Sequence, residues 1–179
     1  MHFVRIYRDA EWRDAVSMTK YIKKLPTGDD ILKSSRFEKA KNVTHHKKTS
    51  VAEHSKKTAE YGTRICKWLE KHNVNVNEED VVRACLLHDI GMTDDLVHSC
   101  VSWKKAYRHP KRGMQIAEEE YKANDVQLNA IRRHMWPICI IPPKSIEGWV
   151  VVAADKCCSI WELTHRIDGF ERKNCINNK

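Results

Sequence analysis

The sequence predicts an all-α fold of about seven helices, on three observations. Apolar residues recur at spacings of three and four along most of the chain; no useful stretch alternates apolar and polar residues; and Pro and Gly mark several of the breaks. The length of 179 residues suits one compact domain with a real core and is too short for two full-sized ones. With 41% hydrophobic and 31% charged residues, six Gly and five Pro, the composition is neither collagenous nor linker-like.

Taken in order, segments 11–24 and 29–40 read as short helices, the first with Trp12, Ala15, Val16, Thr19 and Ile22 on one face; Pro26 and Gly28 separate them. Residues 51–72 give the clearest helix, with Val51, Thr58, Tyr61, Ile65, Trp68 and Leu69 marking one face, His54 on that face, and Ser50 as N-cap. A helix over 78–89 follows, its acidic first turn of Glu78, Glu79 and Asp80 suiting the positive end of the helix dipole, with Gly91 as its stop. Residues 92–108 read as a loop with one helical turn. Pro110 then opens a helix to about Ala123, Asn124 or Asp125 caps another that Pro137 ends, and Pro142–Pro143 force a turn before a last helix over 145–165.

The chain carries a net charge of +8, and most of the excess lies in residues 1–50, which hold 12 basic and 6 acidic side chains. A positive field favours anionic partners such as nucleotides or nucleic acid, although a solvated basic surface is the preferred reading of it. No apolar run approaches the roughly 20 residues of a membrane span. The first residues, MHFVRIYRDAEWRD, lack the apolar core of a secretory signal, so the protein is expected to stay in the cytoplasm. Seven cysteines without a CxxC pair read as reduced thiols, most of them buried, with Cys157 and Cys158 in core packing.

The informative feature is polar residues where periodicity predicts burial. His88 and Asp89 fall beside the apolar stripe of VVRACLLHD, and Asp155 follows Val151 and Val152 by four and three residues in WVVVAADKCCSIW. Any one such histidine reads as a hydrogen-bonded core residue, and any one such aspartate as a cap or ion-pair member. Three helices doing the same ask for a shared cation, because an isolated buried carboxylate is costly. Mixed imidazole and carboxylate donors without thiolates suit Fe, Mn, Zn, Ni or Co better than a structural thiolate zinc site.

The order His54, then His88–Asp89 inside LLHDIG, then Asp155 inside AADK resembles the HD-domain metal-dependent phosphohydrolases, whose pattern is H…HD…D on a helical bundle. The resemblance spans about residues 44–165, which leaves 1–43 as an N-terminal helical extension and 166–179 as a tail of one domain. His109 in RHPKRG and His134 in IRRHMWP stand where two-metal members carry two further histidine ligands. HDIG and HPxxG are similar to the cyclic-dinucleotide HD-GYP branch. Met135 follows His134 in place of a second His, however, no GYP follows, and Met92 replaces a lysine, so the chain is not a full member of that branch. RHMWP, IPPKS and VVAADKCCSIWE look more like small stand-alone bacterial HD hydrolases.

The resemblance implies two divalent ions, Fe or Mn first, with Zn, Ni, Co and Mg as alternatives. His54, His88, Asp89 and Asp155 would hold one, His109 and His134 the other, with Asp89 bridging, and metal-activated water would be the nucleophile. Asp89 and Lys156 are the catalytic candidates. Lys156, Arg108, Arg112, Arg133 and His46 are the candidates for binding a small, nucleotide-like phosphorylated substrate, each readable also as a surface group. His45 and His46 either enter the pocket as proton donors or substrate contacts or stay on an exposed loop. The expected function is phosphoester hydrolysis on a nucleotide or other small phosphorylated metabolite. The rival readings are an HD-type diiron oxygenase and a nucleic-acid-binding module with a structural metal site. The sequence leaves the oligomeric state open.

Overall fold

The computed structural model describes residues 26–46, 49–98 and 102–176, with only the backbone of residues 26, 46, 98, 102–103 and 165–176. The helix expected over 11–24 therefore lies outside the described residues. Eight α-helices are present among those described: α1 (Asp29–Leu32), α2 (Ser35–Ala40), α3 (Val51–Lys71), α4 (Glu78–Leu87), α5 (Asp95–His98), α6 (Ser102–Tyr121), α7 (Asp125–Arg133) and α8 (Ile146–Ile176). The fold is all-α. Its one departure is a small antiparallel hairpin, β1 (Thr44–His46) with β2 (Thr49–Ser50), which runs straight into α3.

Helix α4 is the central element, packed against α3, α7 and α8, while α8 also lies on α3 and α7. Its sequence explains this, since Val81, Val82, Ala84, Cys85, Leu86 and Leu87 are all buried on a ten-residue helix. Burial of each Val and Leu among them contributes roughly 1.5–3 kcal/mol. Asn77 caps α4 by accepting from the Asp80 N–H. The buried Asp80 carboxylate accepts in turn from Asn124 Nδ2 and Gln127 Nε2, both at 2.7 Å, which ties the start of α4 to the start of α7.

Helix α3 buries the start of the expected face, Val51, His54 and Thr58, and its deepest contact then follows a neighbouring stripe of small residues. Ala52, Ser55, Ala59, Gly62 and Cys66 are buried, while Trp68 is exposed and Tyr61, Ile65 and Leu69 are half-buried. Small residues let α4 approach closely: a Cβ at Gly62 would lie 2.8 Å from Val81 Cγ1 and 3.1 Å from Cys85 Sγ. The segment expected as one helix over 29–40 is broken at Lys33–Ser34, because the Ser34 hydroxyl accepts from the Phe37 N–H and caps α2.

Two further expectations are corrected between residues 88 and 121. Gly91 does not terminate α4, which ends at Leu87; it lies in a 3₁₀ turn, Ile90–Thr93. Pro110 does not open a helix but sits inside α6. Proline has no N–H for the carbonyl four residues back, so the Ala106 oxygen is left without its helical donor. The Cys139 thiol reaches that oxygen at 3.8 Å, and the neighbouring Lys105 carbonyl accepts from His109 Nδ1 at 2.6 Å. The thiol thus meets the one carbonyl that the proline leaves without its helical donor.

Candidate metal centre

Five helices and the hairpin deliver one cluster of side chains to the centre of the bundle. His54 comes from the second turn of α3, which a capping box holds at its start: Ser50 Oγ accepts from the Glu53 N–H at 3.2 Å and Glu53 Oε2 accepts from the Ser50 N–H at 3.0 Å. His88 and Asp89 form the turn that ends α4, His109 lies in α6, His134 follows α7, and Asp155 lies in α8. All six are buried.

The histidines are fixed by a common device. His88 Nδ1 donates to the Cys85 carbonyl at 2.7 Å, His109 Nδ1 to the Lys105 carbonyl at 2.6 Å, and His134 Nδ1 to the Ile131 carbonyl at 2.8 Å. Each tie fixes the tautomer and turns Nε2 inward with its lone pair available. His54 is held instead by a carboxylate, with Nδ1 3.3 Å from Glu162 Oε2 and Nε2 3.2 Å from Asp155 Oδ1.

Asp89 stands between these rings. Its Oδ1 lies 3.2 Å from His109 Nε2 and 3.5 Å from His134 Nε2. Its Oδ2 lies 2.8 Å from His45 Nε2, 3.4 Å from His88 Nε2 and 4.0 Å from His54 Nε2. His88 Nε2 is also 3.9 Å from Asp155 Oδ1, yet this buried nitrogen makes no hydrogen bond. His109 Nε2 and His134 Nε2 are only 3.0 Å apart. With both Nδ1 positions protonated, two lone pairs face each other there, an arrangement that needs a proton or a cation between them.

The electrostatics point the same way. Burial disfavours charge on Asp155, but the His54 hydrogen bond and the nearby His88 and Lys156 hold it well below the carboxylate range. Burial likewise opposes charge on Asp89, and His88, His45, His109 and His134 outweigh it, so this carboxylate too stays ionised. His54 is desolvated, yet contacts with Asp155, Cys158 and Glu162 push it up to about 12. Burial brings His134 down to about 4 and keeps it neutral. Two ionised carboxylates draw positive charge into the site, which a protonated imidazole such as His54 or a metal ion in place of its proton can supply. Among the described residues, four groups could hold a metal ion: His54, His88 and Asp155; His88, Asp89 and His134; His45, His54 and Asp89; and His54, Cys158 and Glu162. An orphaned imidazole nitrogen beside ionised carboxylates suits a dication of the borderline first-row kind.

The seven residues His54, His88, Asp89, His109, His134, Asp155 and Lys156 are brought together, Lys156 through its Nζ, 2.7 Å from Asp155 Oδ2. The remaining substrate-binding candidates are not clustered in this way. Arg112 is engaged by Asp94, with Nε 2.7 Å from Oδ2. Arg108 is exposed on α6, and Arg133 lines a surface pocket with Met114, Asn129 and Lys144. The side chain of His46 lies outside the described residues. Glu162 has no role in the sequence reading, although it follows Asp155 by two helical turns and so shares its face. Cys158, expected in the core, is buried and also lies 3.6 Å from His54 Nδ1.

The structure is a helical bundle around a buried imidazole and carboxylate centre that could hold a metal ion. A family model for the HD domain matches residues 51–160, more than half of the chain, and the protein belongs to the HD-domain family, a superfamily of metal-dependent hydrolases. No curated protein and no solved structure matches the chain. No described helix is long and apolar enough to cross a membrane.

Proposed function

We propose that the chain is a two-metal phosphohydrolase that cleaves a phosphoester of a nucleotide or other small phosphorylated metabolite, with water as the nucleophile. The observation that carries this reading is the division of labour on Asp89, whose two oxygens face two separate sets of imidazoles. A carboxylate bridge of this kind supplies negative charge between two dications. His54, His88, Asp155 and Asp89 Oδ2 would hold one ion, and His109, His134 and Asp89 Oδ1 the other, with Fe or Mn the preferred metals.

Bound there, divalent ions would polarise a phosphoryl oxygen and supply a water acidic enough to ionise near neutral pH. The chain's own residues do the positioning. The backbone ties on His88, His109 and His134 hold the imidazoles in one orientation through a reaction cycle, and Glu162 does the same for His54. Asp89 keeps the two halves in register. Lys156, with 38% of its side chain exposed, sits at the margin of the cluster beside Asp155, where an ammonium can meet a substrate phosphate.

The test is elemental analysis after anaerobic purification, followed by a screen of phosphorylated substrates that records phosphate release and dioxygen uptake in parallel. Close to two metals per chain with metal-dependent phosphate release is the expected result. Dioxygen uptake without phosphate release would replace the hydrolase by a diiron oxygenase. A folded chain that neither contains nor takes up metal would sink both.

A further inference from the structure

The two halves of the cluster are unequal, and the inequality comes from a residue that precedes the matched part of the chain. His45 lies in β1, with its Nε2 2.8 Å from Asp89 Oδ2, the shortest of the five imidazole approaches to that carboxylate. Its ring stacks on that of His54 with centroids 3.9 Å apart and planes 19° apart, so the two rings present their edges to the same place. Donor atoms of His45, His54 and Asp89 all lie within 4.8 Å of one another.

The hairpin is built to fix this placement. Thr44 pairs with Ser50, the N-cap of α3, and the Val51 N–H donates to the Val43 carbonyl at 2.9 Å. His45 is thereby locked to the first turn of the helix that carries His54.

We propose that His45 is a metal ligand that completes the Oδ2 half of the site, so that the chain holds its two ions unequally. The inference rests on the two-metal reading above. On the Oδ2 side His45, His54, His88, Asp155 and Asp89 offer three imidazoles and two carboxylate oxygens. On the Oδ1 side His109, His134 and Asp89 offer two imidazoles and one carboxylate oxygen. The Oδ2 side thus combines two overlapping donor groups, His45, His54 and Asp89 with His54, His88 and Asp155, and more protein donors there would leave fewer positions for water than on the Oδ1 side. The Oδ2 half is then the tight, nearly closed site, and the Oδ1 half is the exchangeable one where water and substrate bind.

The experiment is calorimetric titration of the chelator-stripped full chain with Mn²⁺ alone, together with pulsed EPR of the first equivalent bound. Wild type should show one tight and one weak class. His45→Ala should weaken the tight class at least about tenfold, leave the weak class in place, and reduce the imidazole nitrogens coupled to the first Mn²⁺ from three to two. His109→Ala should weaken only the weak class. His45→Asn keeps a hydrogen-bond donor for Asp89 but no imidazole, and should behave like His45→Ala. If His45→Asn retains wild-type affinity, or the nitrogen count does not change in His45→Ala, then His45 only orients Asp89 and the proposal fails while the two-metal reading stands. Two equal classes in wild type would also overturn it. A wild-type chain that takes up no Mn²⁺ would overturn both.

Discussion

At the scale of single residues, Asp89 is the group whose loss the site should tolerate least, because it alone faces imidazoles through both oxygens. Asp89→Ala should lower bound metal in both halves and abolish turnover. His134→Ala should spare the half built on His54 and retain about one metal per chain. Elemental analysis of the two variants decides this, and near-normal metal in Asp89→Ala would mean that the dyad is ordinary core structure. Glu162 supports a second prediction. Its carboxylate holds His54 Nδ1 at 3.3 Å, and outer partners of this kind change metal affinity by about 10–100-fold. Glu162→Gln, still able to accept a hydrogen bond but uncharged, should weaken Mn²⁺ binding measurably, with helicity by circular dichroism unchanged. His54, His88, Asp89 and Asp155 stood out because polar side chains on apolar helix faces are costly unless something compensates them, whereas His109 and His134 came only from the family resemblance. Glu162 shares a face with Asp155 and so was legible in principle, whereas His45 reaches Asp89 only through a hairpin that no periodicity announces.

At the scale of elements, the turn after the dyad positions His109. A Cβ on Gly91 would lie 2.2 Å from the His109 carbonyl oxygen and 2.6 Å from the Gly113 nitrogen. Both are backbone atoms, so the strain cannot be relieved by a side chain turning aside. Gly91→Ala should therefore push α6 off the 3₁₀ turn at a cost of about 1–3 kcal/mol, read by urea unfolding, and should weaken metal binding in the half that contains His109. Unchanged stability would show that this close approach is not a constraint. The glycine was visible in the sequence, but its reason was not: spacing suggests a helix stop, and only the packing of α6 shows that the need is for space. The same limit applied at Pro110, where the freed Ala106 carbonyl is met by Cys139, a residue distant in sequence. Elsewhere the local signal sufficed, as at the start of α3. There the Ser50 hydrogen bonds hold Glu53 below its ordinary 4.5. A carboxylate depressed in the folded state stabilises it above the ordinary value, and that stability fades as the pH falls through the lower folded value. Ser50→Ala should cost about 1 kcal/mol near neutrality, and wild type and Glu53→Gln should converge in stability well below pH 4.5.

At the scale of the whole molecule, the site is also the point where the fold is joined. Its side chains come from α3, α6 and α8 and from the ends of α4 and α7, with β1 and the middle of α8 adding His45 and Glu162 from either side of the matched span 51–160. Residues that far apart in sequence converge only in the folded chain, so the unfolded chain offers no comparable site and metal binding acts as folding free energy. A ligand present at 100 times its dissociation constant adds about 2.7 kcal/mol to stability by mass action. For a domain of this size each kcal/mol is worth roughly 2–4 °C. Saturating Mn²⁺ should therefore raise the thermal midpoint of the stripped chain by about 5–10 °C, and chelator should reverse the gain. Asp89→Ala should lose most of this response, since it weakens both halves at once, whereas an exposed substitution such as Glu119→Gln should keep all of it. A midpoint that does not move with Mn²⁺, in a chain that binds the ion, would mean that the unfolded chain holds the ion as tightly as the folded one, at a site that does not need the buried cluster.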